Sequence, residues 1–135
     1  MSFEELPHTA DIRIRASAAS PGALFSDVFD ALMQVMYGKD RSGGTDRRIE
    51  LSSPDYESLL ADFLSEVLFI SEVDGLVFST ADISIEGLRL SAVLHGEPFD
   101  SRKHAGGTEV KGISYTGLAV RKEANGYMVD IVFDV

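Results

Sequence analysis

The sequence ends in LAVRKEANGYMVDIVFDV, residues 118–135, and this stretch predicts one end of a β-sheet. Its last nine residues alternate as a half-buried strand does, with large apolar side chains on one side and both aspartates on the other. Asn125 and Gly126 separate two such runs, and Asn-Gly is the preferred pair for a two-residue type I′ turn. Counting outward from that turn predicts these cross-strand neighbours: Ala124 with Tyr127, Arg121 with Asp130, Val120 with Ile131, Leu118 with Phe133, and Gly117 with Asp134. We therefore expect an antiparallel hairpin with one apolar face and with Asp134 opposite a glycine.

Two stretches before the hairpin have the period and the start signals of amphipathic helices. Ser20 is predicted to cap the first helix, with Pro21 at its first position and Gly38 at its end. A second Ser-Pro pair at residues 53–54 predicts the start of another helix, which ends at Gly75. The apolar stripes comprise Leu24, Phe25, Val28, Leu32, Val35 and Met36 in the first helix, and Leu59, Leu60, Phe63, Leu64, Val67 and Leu68 in the second.

Short alternating runs around these helices predict further strands. They are DIRIRA (11–16), RIELS (48–52), LVFS (76–79), ADISIE (81–86) and LRLSAVLHG (88–96), with a tight turn at Glu86 and Gly87 and a loop over residues 38–48. Strands that surround two helices, without a βαβ alternation, indicate an α+β fold. We expect a single domain over residues 1–135, with a mostly antiparallel or mixed sheet and both amphipathic helices on one of its faces.

Composition excludes several classes of protein. The formal net charge is −10, from 22 acidic and 12 basic residues, and phosphate binding relies on clustered Lys and Arg. Tight direct binding of nucleic acid is therefore not expected. The chain has no cysteine, which excludes disulfides and thiolate metal sites and fits a reducing compartment. No apolar run approaches the roughly 20 residues of a membrane span, so we expect a cytoplasmic protein without membrane contact.

The end of the hairpin is predicted to be an open, acidic corner. A strand that runs to the last residue places the terminal carboxylate beside the side chain of Asp134. These are hard oxygen donors that suit calcium, magnesium or manganese, and Asp11 in HTADIRI is a candidate third ligand. On spacing alone, ordinary strand-end aspartates are the simpler interpretation.

The segment SRKHAGGTEVKGISY, residues 101–115, contains a second group of polar side chains. Glu109 and Lys111 lie two apart in a predicted strand, hence on one face, and His104 precedes them in a loop that is expected to be exposed. An ion pair on the sheet surface is the simpler interpretation of Glu109 and Lys111. Nothing near His104 supplies a nucleophile at a motif spacing, and AGGTE lacks the ending of a phosphate-binding loop. His8 and His95 have no partner in the sequence that singles them out.

Four segments together resemble the archease family. They are HTADIRIRA (8–16), LLADFLSEVLFISEVDGLVF (59–78), SRKHAGGTEVKGISY (101–115) and VDIVFDV (129–135), and they occur in order over nearly the whole chain. The resemblance implies the archease fold. It also implies a small acidic protein that acts on the RtcB-type RNA ligase, which joins RNA ends during tRNA splicing.

The resemblance also implies roles for individual residues. In the family, a divalent metal is bound by the aspartate of HTAD, the penultimate aspartate and the final residue, which here are Asp11, Asp134 and Val135. Lys111 matches the family's EVK lysine and is the next functional candidate, with Glu109 and His104 of the same segment. Two further positions depart from the pattern. Arg13 stands where the family often has glycine, and Thr116 stands where many members have histidine.

Three hypotheses about function follow. The leading one is a protein cofactor that binds a divalent cation, calcium or else magnesium or manganese, and promotes guanylylation and multiple turnover of the RNA ligase. On this hypothesis the protein has no catalysis of its own. The second is a metal-dependent hydrolase that uses a water on the same carboxylates. The third is a chaperone-like binding module.

Overall fold

The computed structural model describes residues 2–6, 11–104 and 107–135. Its helices are α1 (Pro21–Tyr37) and α2 (Tyr56–Asp74). Its strands are β1 (Ser2–Leu6), β2 (Ile12–Ala18), β3 (Thr45–Ser52), β4 (Leu76–Glu86), β5 (Arg89–Pro98), β6 (Gly112–Glu123) and β7 (Gly126–Asp134). All of the strand pairs among these residues are antiparallel. The predicted α+β class, with two helices and a mostly antiparallel arrangement, is confirmed.

Helix α1 has the ends that the sequence predicts. The side chain of Ser20 accepts a hydrogen bond from the backbone N–H of Ala23 at 3.2 Å, and Pro21 is the first helical residue. At the other end, the N–H of Gly38 donates to the carbonyl of Gln34 at 2.9 Å. Gly38 has a φ of 84°, which only glycine adopts readily, so it stops the helix.

Helix α2 begins later than predicted, at Tyr56, with Asp55 as its cap. The Asp55 carboxylate accepts from the N–H of Ser58 at 2.7 Å, where it also faces the positive end of the helix dipole. Ser53 does not cap the helix: its hydroxyl donates to the Asp62 carboxylate at 2.9 Å, and its N–H donates to the carbonyl of Leu88 at the end of the sheet. The C-terminal end is as predicted, with Gly75 in the left-handed conformation.

The strands form two sheets rather than the expected single one. One sheet has the order β1-β2-β7-β6 and the other has the order β3-β5-β4. Helix α1 contacts both β4 and β2, and α2 contacts both β6 and β3, so each helix packs against both sheets. The burial of α1 fits this arrangement. Residues 27–29 and 31–33 are all buried, so a larger part of the helix surface is covered than a single apolar stripe would be.

The terminal hairpin has a different register from the predicted one. Ala124 and Asn125 form the turn, both without positive φ, and Glu123 pairs with Gly126. A side chain on Gly126 would come within 2.2 Å of the carbonyl oxygen of Ala18 on β2. Gly126 therefore lies outside the turn, at a position where β7 passes too close to Ala18 of β2 to leave room for a side chain. The observed pairs are Ala119 with Asp130, Val120 with Val129, Ser114 with Val132, Ile113 with Phe133, and Gly112 with Asp134.

Other strand limits also differ from the sequence prediction. β3 begins within the expected loop, β4 is continuous, and the tight turn lies one residue later, at residues 87–88. β6 starts only at Gly112, so Glu109 and Lys111 precede the strand that was expected to carry them. Its pairing with β7 is irregular between Ser114 and Ala119, where Gly117 has a φ of 71°.

One continuous core fixes the end of β7. Phe25, Phe29 and Phe63 lie with ring centroids 6.2 to 6.4 Å apart in neighbouring pairs, and all are fully buried. Ile131 and Phe133 of β7 belong to the same core and are about 1% exposed or less. The residues that alternate with them, including Asp134, are thereby held at the opposite face of a rigid strand.

Candidate functional site

Asp11 and Asp134 are neighbours although 122 residues separate them in the sequence. Ile12 pairs with Phe133 in the β2–β7 ladder, so Asp11 and Asp134 occupy the next positions at the same end. Both side chains are half-buried, and Val135 is 37% exposed beside them. We call Asp11, Asp134 and Val135 the carboxylate corner.

A backbone hydrogen bond joins Lys111 to the carboxylate corner. Its N–H donates to the carbonyl of Asp134 at 2.7 Å, immediately before the pairing of Gly112 with Asp134. A Cβ on Gly112 would lie 3.7 Å from the Asp134 carboxylate. The predicted glycine opposite Asp134 is thus Gly112 and not Gly117. The side chain of Lys111 is exposed where the segment enters β6.

The chemistry of the carboxylate corner suits a hard cation, but with few side-chain ligands. Within residues 2–6, 11–104 and 107–135, no three His, Cys, Asp or Glu side chains are grouped as they would be to hold a metal ion. The side-chain oxygens at the corner are those of Asp11 and Asp134. An all-oxygen set with no nitrogen or sulfur fits calcium, magnesium or manganese.

A pocket of about 400 Å³ lies on the outer side of the β2–β7–β6 sheet, and Asp11 is one of the residues that line it. Arg13 and Thr116, the two departures from the family pattern, both line it. The pocket also contains Asp130, which receives two hydrogen bonds from Arg15, at 2.8 and 3.2 Å. These bonds lower the pKa of Asp130. The expected partner of Asp130, Arg121, is replaced by Arg15, and Arg13 lies 3.8 Å away.

His104, Glu109 and Lys111 line one groove, as their common segment suggests. It has a volume of about 520 Å³ and lies between the C-terminal halves of α1 and α2 and residues 99, 104 and 107–111. We call it the apolar groove. The walls are mainly apolar and aromatic: Met36, Tyr37, Leu68, Phe99 and Val110. Glu109 and Lys111 are exposed on either side of buried Val110, and no ion pair joins their side chains in the described structure.

His104 is buried rather than exposed in a loop, contrary to the sequence prediction. Its side chain is 0% exposed, and its ring lies 5.9 Å from that of Phe99. Nδ1 accepts a hydrogen bond from the N–H of Asp100 at 3.0 Å, so Nε2 carries the proton and donates to Glu97 at 3.0 Å. Both ring nitrogens are therefore occupied, and His104 acts as a neutral structural residue at the floor of the groove.

Glu97 is the central residue of this support and was not identified from the sequence. Its carboxylate accepts from Lys103 at 3.0 Å, from the N–H of Ser42 at 2.9 Å and from His104. The bond from Lys103 is the main cause that lowers the pKa of Glu97 to about 2. We call these four residues the Glu97 cluster. Sequence carries no signal for it, because Ser42 lies 55 positions from Glu97.

His95 also has partners that the sequence did not reveal. Its Nδ1 lies 2.7 Å from the carboxylate of Asp46 on β3, and its Nε2 lies 2.8 Å from that of Asp82 on β4. The hydrogen bonds to Asp82 and then Asp46 raise the pKa of His95. The expectation that His95 lacks a distinctive partner is wrong. His8 lies outside the described residues.

Comparisons with known proteins agree with this structure over its whole length. The chain matches the model of the Archease protein family (MTH1598/TM1083) over residues 3–135. It is 35% identical to "Protein archease" of Methanosarcina mazei, over 98% of this chain and 95% of the relative. It is 36% identical to the Pyrococcus abyssi protein of the same name, over 98% of both chains.

Two solved structures are similar in fold. The solution structure of Methanobacterium thermoautotrophicum protein 1598 gives a TM-score of 0.81 at 25% identity, covering 98% of each chain. The crystal structure of a Thermotoga maritima archease, described as a possible chaperone, gives 0.69 at 19% identity, over 98% of this chain and 96% of that one. Neither helix of the described structure is long and apolar enough to cross a membrane.

Proposed function

Because this chain belongs to the archease family, we propose that it is a metal-binding protein cofactor of an RtcB-type RNA ligase. In this role it promotes the guanylylation of the ligase, and hence its multiple turnover during tRNA splicing. The observation that carries the proposal is the carboxylate corner. Asp11 and Asp134 come from opposite ends of the sequence and meet beside Lys111. All three are residues that the family resemblance marks.

Asp11, Asp134 and the main-chain carboxylate of Val135 would hold the cation. Once bound, a divalent cation supplies concentrated positive charge at the surface of an otherwise acidic protein. The protein's own contribution is positional. β2 and β7 fix the two aspartates, and the hydrogen bond from Lys111 to the Asp134 carbonyl sets the adjoining segment against them.

The protein acts on the ligase without turning over a substrate itself. His104 is the group that most resembles a base, and both of its ring nitrogens are engaged by Asp100 and Glu97. The exposed Lys111 side chain is the group best placed to contact the partner next to the corner. A single lysine and a metal-bound corner suit recognition of a charged ligase site better than a reaction of their own.

The deciding experiment is multiple-turnover RNA joining by the cognate ligase with GTP. Substoichiometric wild-type protein should raise turnover, because one cofactor molecule can serve many ligases in succession. Asp134→Ala and Lys111→Ala should remain folded and lose at least about tenfold of the stimulation. Lys122→Ala, an exposed lysine at the far end of β6, is the matched control and should stimulate as wild type does.

Equal rates with wild type, with either variant and with no added protein would remove the proposed function. Incubation with RNA or nucleotide in the absence of ligase addresses the hydrolase alternative, since only an enzyme would consume substrate there. A chaperone role, which the description of the Thermotoga protein suggests, predicts stimulation that does not depend on Asp134.

The metal assignment has its own test at the end of the chain. A variant that carries two additional residues after Val135 replaces the terminal carboxylate with a neutral amide. Calcium or magnesium binding by calorimetry should become undetectable, while the thermal midpoint without metal changes little because the hairpin is unaltered. Undiminished affinity in the extended chain would contradict the ligand set.

A further inference from the structure

Exposed apolar side chains are concentrated around the apolar groove. Of the five large hydrophobic residues exposed in the described structure, Phe99 is at the groove, and Phe69 and Val73 lie on the part of α2 that borders it; they are 51%, 59% and 64% exposed. Phe99 lines the groove itself. Phe69 and Val73 are one helical turn apart on α2, about 100° around the helix from Leu68 and Glu72, which line the groove. The groove is therefore bordered by an exposed apolar face of α2, and exposed apolar patches of this kind mark interaction sites.

The buried polar side chains at the floor of the groove, Tyr37 and His104, are held by hydrogen bonds within the protein. Tyr37 shares a 2.7 Å hydrogen bond with Ser71, and His104 is held by Asp100 and Glu97. The backbone of Phe99 donates to the carbonyl of Gly75 at 2.9 Å. No buried side-chain nitrogen or oxygen in the described residues lacks a partner. An occupant of the groove meets ring faces and aliphatic groups, so the part that enters must itself be apolar.

The charges at the rim of the groove indicate which residues of the partner should flank its apolar group. Glu72 and Glu109 are exposed at the groove against one exposed lysine, Lys111, so the rim is acidic on balance, and the whole chain has a formal charge of −10. A nucleic acid would bring phosphates against these carboxylates, which is unfavourable. A protein segment with Arg or Lys beside an apolar side chain is complementary to both the wall and the rim.

The groove is also continuous with the carboxylate corner. Lys111 lines the groove, and its N–H donates to the Asp134 carbonyl at 2.7 Å. One partner can therefore cover both regions at the same time. Contacts at the groove need no metal, whereas contacts at the corner depend on it.

We propose that the apolar groove is a docking site for an aliphatic or aromatic side chain on a basic segment of a protein partner. It supplies affinity independently of the metal, while the carboxylate corner and Lys111 supply activation. That this partner is the RNA ligase rests on the function proposed above.

The first test separates affinity from activation. Stimulation of RNA joining is titrated with wild type, Phe99→Ala and Val73→Glu, and the half-maximal concentration and the plateau are compared. Both variants should raise the half-maximal concentration by about tenfold or more and leave the plateau unchanged. Tyr115→Ala, which removes an equally exposed aromatic ring from β6, is the matched control and should stay within about twofold. If wild type stimulates the ligase and both variants give the same titration curve as wild type, the docking site is overturned and the proposed function still stands.

The second test needs no ligase. A peptide with Phe-Leu between two arginines on each side is added to the isotope-labelled protein in EDTA, and amide shifts are recorded. Signals of Tyr37, Phe99 and residues 107–111 should move, and they should move less in Val73→Glu. Peptides that replace the arginines by glutamate or Phe-Leu by Ser-Ser should have little effect. Equal shifts with all three peptides, or the same shifts with a short RNA, would overturn the proposal even if the ligase proves not to be the partner.

Discussion

Glu97 and Asp134 are both half-buried carboxylates at the ends of strands, but the structure treats them in opposite ways. Glu97 accepts hydrogen bonds from Ser42, Lys103 and His104. No hydrogen bond or ion pair from the described residues reaches the Asp134 carboxylate, and the residue across from it is a glycine. Among the described residues, donors compensate the charge of the Glu97 carboxylate, and none does so for Asp134.

This difference distinguishes structural charge from functional charge. A carboxylate with three donors stabilises the fold, and a substitution there leaves the donors without a partner. A carboxylate held on a rigid strand next to another one gains from a cation that comes from outside. The Glu97 cluster should therefore matter for stability, and the carboxylate corner should matter for metal and partner binding.

The largest effect should come from the segment that joins the two regions. A Cβ on Gly107 would lie 1.7 Å from the carbonyl oxygen of Met36, so Gly107→Ala must displace the segment that leads to Lys111. We expect a loss of about 3 kcal/mol in the free energy of unfolding in urea. Gly22→Ala is the control, because its Cβ would be 3.5 Å from the nearest atom and alanine favours the helix. Equal stability of the two variants would contradict the tight packing of residues 107–108 on α1.

A smaller loss should follow from removal of the Glu97 carboxylate. Glu97→Ala leaves the buried Nε2–H of His104 without an acceptor, and we expect a loss of about 2 kcal/mol in urea unfolding. Glu50→Ala, an exposed glutamate on β3, is the control and should change stability by less than about 0.5 kcal/mol. If the two variants lose the same amount, Glu97 does not have the structural role assigned to it.

The pH dependence should separate Glu97 from the rest of the charges. The pKa of Glu97 is about 2 in the folded protein and 4.5 ordinarily. As the pH falls, the Glu97 carboxylate is therefore protonated at a higher pH in the unfolded state than in the folded state. Its stabilisation is complete above about pH 4.5 and is lost as the pH falls towards about 2. The gap in thermal midpoint between wild type and Glu97→Gln should accordingly be widest near pH 6 and close towards pH 2. A gap that is constant over this range would exclude the ionised carboxylate as its cause.

The smallest effect on the metal-free fold is expected at the carboxylate corner. Asp11→Asn and Asp134→Asn each remove one negative charge and keep the size of the side chain, so stability without metal should change by no more than about 0.5 kcal/mol. Calcium or magnesium at about 100 times its dissociation constant should stabilise wild type by about 2.7 kcal/mol and should not stabilise either variant. Thermal midpoints that rise equally in all three proteins would show that the metal binds elsewhere.

Local patterns predicted the elements of this fold well and their partners poorly. Ser20, Pro21 and Gly38 define α1 as expected, because caps act within one turn of the backbone. Asn125 and Gly126 also form a local signal, yet the close approach of Ala18 takes Gly126 out of the turn. A contact between residues more than 100 positions apart cannot be read from a dipeptide preference. The same limit explains why the sequence pattern predicts one sheet whereas the structure has two.

The candidate site divides in the same way. The sequence by itself determined the acidic composition, both limits of α1, the end of α2 and the resemblance to the family, from which the three residues of the carboxylate corner are proposed, since each depends on residue type and order. Only the tertiary structure decided that the Lys111 N–H is bonded to the Asp134 carbonyl, that His104 is buried against Glu97, and that Phe99 and Leu68 line one groove. These relations depend on how β7, α2 and residues 99–104 and 107–111 pack, and packing is set by the whole core rather than by neighbours along the chain.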